Sequence, residues 1–247
     1  MAKLAIIGGT GLTRLKNLEI ERREVMHTPY GEPSGALTFG RLCDKDVVFL
    51  ARHGYGHTIP PHMVNYRANL WSIRELGIEQ VIAVCAVGGI RQDLVPASVV
   101  IPDQIIDYTW SRYHTFFETD LESVTHIDFT EPYCREMREL LIASAGRAGI
   151  EVSTTGTYGA SQGPRLETAA EINRMERDGC DMVGMTGMPE AALARELGLC
   201  YAVCAVSANA AAGRGQGPIE MSEIEQNLKA GIGKVRAILE QAISAAG

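Results

Sequence analysis

Gly184-Met185-Thr186-Gly187-Met188-Pro189-Glu190-Ala191-Ala192-Leu193-Ala194-Arg195-Glu196 closes an apolar run and opens a helical pattern. It puts a hydroxyl and free backbone amides where a buried strand turns into a helix, and such a turn suits a bound anion. The next apolar strand, Cys200-Tyr201-Ala202-Val203-Cys204-Ala205-Val206, ends in Ser207-Ala208-Asn209. The Asn209 amide both donates and accepts hydrogen bonds. One end of the pair suits phosphate, the other a purine edge.

Working outward, short apolar runs that fit buried strands recur at Leu4–Ile7, Val47–Ala51, Val81–Val87, Val99–Ile101, Asp181–Gly184 and Tyr201–Val206. Helical patterns are predicted at Tyr66–Leu76, Pro132–Ala148, Thr168–Asp178, Pro189–Leu197 and Ser222–Ala245. Continuous apolar strands alternating with amphipathic helices predict an α/β fold, with a mixed, mostly parallel central sheet flanked by helices on both faces. No repeat, low-complexity tract or linker divides the chain, so one domain over residues 1–247 is expected. Tyr108–Glu131, polar and aromatic, reads as a long excursion, and such excursions are often functional or sit at subunit contacts.

A net charge of -7, with no basic run or basic helical stripe, argues against nucleic-acid binding. An anionic small molecule therefore needs a local pocket. No apolar run is long enough for a membrane span, and no signal peptide is indicated. The six cysteines, at 43, 85, 134, 180, 200 and 204, form no CxxC pair, which favours reduced thiols and a cytoplasmic location.

Five predicted strands end in small or hydrogen-bonding residues: Gly8-Gly9-Thr10-Gly11, Arg52-His53-Gly54, Ala86-Val87-Gly88-Gly89, Met185-Thr186-Gly187 and Ser207-Ala208-Asn209. Carboxyl ends of parallel strands form the usual ligand crevice. Glycines let the backbone approach an anion, Thr10 and Thr186 supply hydroxyls, and Arg52 supplies a planar charged fork. Taken singly, each segment reads equally well as a tight turn; together they describe a phosphate cradle. The first loop is neither a dinucleotide fingerprint, since Arg14 takes the place of the third glycine, nor a GK[ST] phosphate loop. His53, His57 and His62 lie close in sequence, but Pro60 and Pro61 interrupt any helix there, so no metal site is expected. Nothing in the sequence marks a serine or cysteine nucleophile.

The chain resembles the purine nucleoside phosphorylase and methylthioadenosine phosphorylase family over nearly its full length. The likeness is carried by IIGGTGL at 6–12, FLARHGYGHTIPPHMVNYRANLW at 49–71, AVGGI at 86–90, IIDYT at 105–109, SQGPRLET at 161–168 and VGMTGMPEAALARELGLCYA at 183–202. The resemblance implies reversible phosphorolysis, in which inorganic phosphate displaces a purine base from C1′ of a nucleoside, with no cofactor. It also implies phosphate contacts at Thr10, Arg52, His53, Cys85, Ala86 and Thr186, with Arg52, Thr186 and Asn209 nearest the chemistry. Met185 matches a residue packed on ribose and base, and Asn209 and Ala211 match purine contacts. Glu167 and Ser222 match positions that vary with substrate. His126 resembles part of a segment donated by a neighbouring subunit, which implies a homotrimer with shared sites.

Relatives that take 6-aminopurines commonly carry Asp where Asn209 stands. Asp accepts from a 6-amino group but repels a 6-oxo group, whereas Asn donates to O6 while accepting from a protonated N7. Glu167 accepts from N1–H, a proton that 6-oxopurines carry. At the 5′ end, Ser222 replaces the His of ordinary nucleoside phosphorylases, and Ile59-Pro60-Pro61 offers apolar surface for a thioether. The expected substrate is a 5′-methylthio 6-oxopurine nucleoside; inosine or guanosine, methylthioadenosine, and a non-catalytic nucleoside sensor are the alternatives.

Overall fold

Leu4, Ile6, Val47, Phe49, Ile82 and Val84 are buried on one face of the central strands, and Ala5, Ile7, Val48, Leu50, Val81 and Ala83 on the other. Strands apolar on both faces must be covered on both, and here they are. The computed structural model describes residues 3–119 and 121–246; Asp120, within the predicted excursion, lies outside them. The strands are β1 (Leu4–Gly8), β2 (Glu19–Glu24), β3 (Leu37–Leu42), β4 (Lys45–Ala51), β5 (Gln80–Gly89), β6 (Val99–Val100), β7 (Gln104–Asp107), β8 (Thr157–Ala160), β9 (Met182–Gly184) and β10 (Cys200–Ala210). The helices are α1 (Tyr66–Glu75), α2 (Arg135–Arg147), α3 (Ala169–Arg177), α4 (Gly187–Glu196) and α5 (Met221–Ala245).

One ten-stranded sheet runs β2-β3-β4-β1-β5-β9-β8-β7, with β10 paired to β5 and β6. The pairs β1–β4, β1–β5, β5–β10, β7–β8 and β8–β9 are parallel, and β2–β3, β3–β4, β5–β9 and β6–β10 antiparallel. Residues of α1 and α4 (Leu70, Ile73, Ala191, Leu193) complete one core layer, and those of α2 and α5 (Met137, Leu141, Ile238, Leu239) the other. A satellite cluster under α3 joins Ile172 and Met175 to Val183 and Ala211.

One edge of β5 is shared by two partners. β1 pairs along it as far as Ile7 opposite Ala83, and β9 takes over only at Val183 opposite Gly88. Between them the edge of Val84, Cys85, Ala86 and Val87 is left open, and the sheet splits at the carboxyl ends of its parallel strands, the usual place for a ligand crevice.

Two expectations change. The sequence reading missed β2, β3, β7 and β8. Glu19-Ile20-Glu21-Arg22-Arg23-Glu24 is exposed at every position, an edge strand bristling with charge and carrying no periodic signal. The cysteines are not all reduced: Cys134 and Cys200 form a disulfide, their Cα atoms 5.0 Å apart across a separation of 66 residues. They meet because the start of α2 lies against the start of β10, where the Cys134 N–H donates to the Tyr201 carbonyl at 2.8 Å. Cys43, Cys85, Cys180 and Cys204 are free thiols. Among the described residues, no helix is long and apolar enough to cross a membrane.

Candidate active site

Where the sheet splits, a cavity of about 440 Å³ opens, lined by Thr10, Arg52, His53, Cys85, Ala86, Glu167, Met185, Thr186, Asn209 and Ala211. Each of those ten was singled out from sequence, although they come from six separate stretches of chain. The volume suits a small ligand bound in a cleft. Further lining comes from His57 and from Ile59, Pro60, Pro61, Leu166, Ile219, Met221, Ile224 and Leu228, which form an apolar wall along its side.

The floor is the turn after β1. A Cβ on Gly9 would lie 2.4 Å from the Val84 carbonyl oxygen and 2.8 Å from Arg52 Nη1, so only glycine lets the loop descend onto β5. Thr10 turns up into the cavity with Oγ1 3.5 Å from His57 Nε2. The opposite wall is the turn from Gly184 to Pro189, between β9 and the regular part of α4. Thr186 precedes α4 but makes no side-chain cap, so its hydroxyl, 3.6 Å from Cys85 Sγ, is available to a ligand. Met188 is extended (φ -118°, ψ 141°), and the regular helical path starts at Pro189, a residue suited to a first helical position.

Arg52 is fully buried, and its planar charged fork is already engaged by the protein. Its Nε and Nη2 both donate to the Glu190 carboxylate at 2.7 Å, and Nη1 donates to the Val84 carbonyl at 2.9 Å. The Tyr201 hydroxyl donates to the same carboxylate at 2.8 Å. Burial is the largest single influence and opposes the Arg52 charge, but the neighbouring groups, Glu190 foremost among them, together outweigh it, and the guanidinium pKa stands above its ordinary value. A guanidinium has five N–H bonds, so the contacts to Glu190 and Val84 leave protons on Nη1 and Nη2, beneath Gly9. Glu190, Tyr201 and Tyr158, whose hydroxyl accepts from the Thr186 N–H at 3.4 Å, were not assigned roles from sequence. A carboxylate in the first turn of the helical pattern Pro189–Leu197, followed by the apolar Ala191-Ala192-Leu193-Ala194, was the available signal for Glu190.

His53 points Nδ1 at the Ile59 carbonyl, 2.8 Å away. A carbonyl only accepts, so Nδ1 carries the proton in the neutral ring. Burial first, and the charge of Arg52 second, lower the His53 pKa from 6.5 to about 4. Burial lowers His57 as well. Between pH 6.5 and about 4 the unfolded chain takes up a proton that folded His53 refuses. Stability is therefore full above that window and falls as the pH drops through it. Replacing His53 with glutamine should flatten the acid side of the stability profile by about 3 kcal/mol at pH 4. Urea unfolding of both proteins from pH 4 to 7 checks it; parallel profiles would remove His53 as the source. Burial raises the Cys85 thiol, with Arg52 only partly opposing, so beside Thr186 it stands as a neutral thiol.

At the other end, a bulge in β10 between Ser207 and Asn209 brings Asn209 to the cavity. Its Nδ2 donates to the Ala210 carbonyl at 2.7 Å, which leaves Oδ1 and the second N–H for a ligand. Glu167 is held by the Ser161 hydroxyl, which donates to its Oε1 in a short contact. A Cβ on Gly163 would lie 2.4 Å from the sulfur of Met185, so that glycine admits Met185 to the wall.

Two predicted contacts are elsewhere. Ser222 is exposed and outside the cavity lining, because Met221, Ile224 and Leu228, at helical spacing, hold the face of α5 that looks in. His126 is exposed in the excursion and lines none of this chain's cavity. The excursion contains no helix or strand among the described residues; it is fastened by Thr115 and Phe116, which donate to Glu196 at 2.7 Å, and by Glu118 on Arg67. The His53 and His57 rings lie 4.8 Å apart, tilted at 56° to each other, and among the described residues the group closest to a metal-ligand set is Cys134, Glu136 and Cys200, whose two sulfurs are bonded to each other.

A turn suited to an anion thus shares one cleft with an amide and a carboxylate, and the family model for the phosphorylase superfamily matches residues 3–244. The chain belongs to that superfamily. A probable S-methyl-5′-thioinosine phosphorylase of Pseudomonas syringae pv. tomato is 54% identical over 245 residues, covering 99% of this chain and all of that protein. A 6-oxopurine nucleoside phosphorylase of Pyrococcus furiosus is 48% identical, covering 91% of this chain and 85% of that protein. The fold matches the methylthioadenosine phosphorylase of Schistosoma mansoni in complex with adenine. The TM-score is 0.94 at 33% identity, over 99% of this chain and 91% of that one. The α/β architecture of this phosphorylase superfamily member is thus that of a nucleoside phosphorylase.

Proposed function

We propose that the protein phosphorolyses S-methyl-5′-thioinosine to hypoxanthine and 5-methylthioribose 1-phosphate, with inorganic phosphate as co-substrate and no cofactor. The observation that carries this is a single cavity with three chemistries. Thr10 and Thr186 lie at one end over the buried Arg52 charge, Asn209 and Glu167 at the other, and Ile59, Pro60, Ile219, Met221 and Leu228 along the side. The relatives named for methylthioinosine and for 6-oxopurine nucleosides support the base assignment.

In this mechanism a phosphate oxygen forms a bond to C1′ as the C1′–N9 bond breaks. The bonding pair leaves with the base, and the proton lost by phosphate ends on the purine. Positive charge develops on the sugar and negative charge on the base, so catalysis lies in stabilising both at once. Phosphate sits on the Thr10, His53, Ala86 and Thr186 side, with Arg52 as the positive charge beneath. Met185 packs on the nucleoside, Asn209 donates to O6 and accepts from N7–H, Glu167 accepts from N1–H, and Ala211 closes the purine face. The apolar wall replaces Ser222 as the feature that favours a thioether at C5′.

The proposal includes one nucleoside phosphorylase domain over residues 1–247, and a homotrimer in which the excursion carrying His126 reaches a neighbouring copy's cavity. Exposed Trp110, Tyr113 and Val124 on that excursion support an assembly contact. It also includes a cytoplasmic location, which the exposed free thiol of Cys43 favours; the Cys134–Cys200 disulfide pulls the other way. Inosine or guanosine phosphorolysis is the second reading, favoured by the Pyrococcus furiosus relative.

The test measures base release from methylthioinosine, methylthioadenosine, inosine and adenosine, each with and without phosphate. Rapid cleavage of methylthioinosine only with phosphate is the expected result. Equal cleavage of inosine overturns the 5′ assignment, faster methylthioadenosine overturns the base assignment, and binding without base release leaves a nucleoside sensor.

A further inference from the structure

Arg112 is buried in the excursion and does not itself line the cavity, yet its contacts go to both halves of the cavity wall. Nη1 donates to the carbonyls of Met185 at 2.8 Å and Met188 at 2.7 Å. Nη2 donates to the carbonyls of Gln162 at 2.7 Å and Ser161 at 3.3 Å, and Nε donates to Gln162 Oε1 at 3.2 Å. The Tyr66 hydroxyl lies 3.4 Å from Nη1. Among the described residues no carboxylate pairs with this guanidinium; carbonyl dipoles take the place of a counter-ion. Only arginine offers several donors in one rigid plane, which is what allows one group to tie two loops together.

Those loops carry the two ends of the substrate site. Met185–Met188 holds Met185 and Thr186, while Ser161 grips Glu167 through its hydroxyl. We propose that Arg112 is a positioning residue: its guanidinium fixes the phosphate-end turn and the base-end loop at one separation, so that nucleoside and phosphate are held in line. The inference rests on the phosphorolysis reading above.

Arg112→Lys keeps the charge but replaces the fork with a point donor. It should fold, raise the KM for phosphate and lower kcat by a combined factor on the order of ten- to a hundredfold, and narrow the preference for 6-oxo over 6-amino substrates. Arg112→Ala should be partly rescued by millimolar guanidinium, which leaves the parent enzyme unchanged. The positioning role is overturned if Arg112→Lys folds with unaltered phosphate KM, kcat and base preference. It is also overturned if Arg112→Ala loses activity only in step with folded protein and guanidinium restores none. If neither variant folds, Arg112 serves folding alone and the proposal falls. The parent enzyme, assayed in parallel with and without phosphate, keeps the two claims apart, because lack of phosphate-dependent base release there sinks the phosphorolysis reading instead.

Discussion

Glu190→Ala should lower the unfolding free energy by about 3–5 kcal/mol, because it leaves the Arg52 guanidinium buried without its partner. Arg52 is fully buried, and two of its nitrogens donate to Glu190 at 2.7 Å. The Tyr201 hydroxyl would lose its acceptor as well. Glu190→Gln fills the same space but accepts fewer of these bonds and carries no charge, so it should fall between the parent and the alanine variant. Urea unfolding at neutral pH reads both. A loss in Glu190→Ala no larger than that of an ordinary surface substitution would show that Arg52 finds another partner. In the variants that remain folded, the KM for phosphate should rise if, as proposed, Arg52 is the charge below the anion, because Glu190 holds its orientation.

Asn209→Asp should move base preference from 6-oxo towards 6-amino purines by roughly ten- to a hundredfold, the cost of one mismatched buried polar group. The exchange removes a donor and adds an acceptor at constant size, beside a β10 bulge that fixes the backbone. Paired kcat/KM values for methylthioinosine and methylthioadenosine give the answer. Unchanged selectivity would take Asn209 out of base recognition and leave Glu167 to account for it.

The core of the fold was legible because β1, β4, β5 and β10 are continuous apolar runs, buried on both faces, and their helices carry clear apolar stripes. Pro189 marks the start of the regular part of α4 as predicted, because a proline is pre-shaped for a first helical turn. The cleft was legible for a related reason: loops at strand ends must combine close backbone approach with hydrogen-bonding groups, and Gly9, Thr10, Thr186 and Asn209, which line it, are residue types that do so. That Ser222 lies outside the cavity lining was not legible, because family correspondence names a position, whereas the angular phase of α5 decides which side chain faces inward.

The sequence by itself determined the alternation of buried strands and helices, the strand ends that gather at one cleft, and the chemical character of each end of that cleft. These are local properties, written in the residues that express them. Tertiary structure alone decided that Arg52 is held by Glu190, 138 residues away, that Cys134 meets Cys200, and that Arg112 bridges Ser161 and Met185. Such pairs depend on the register in which distant strands come together, and no local pattern of residues encodes the distance between two elements until the sheet has formed.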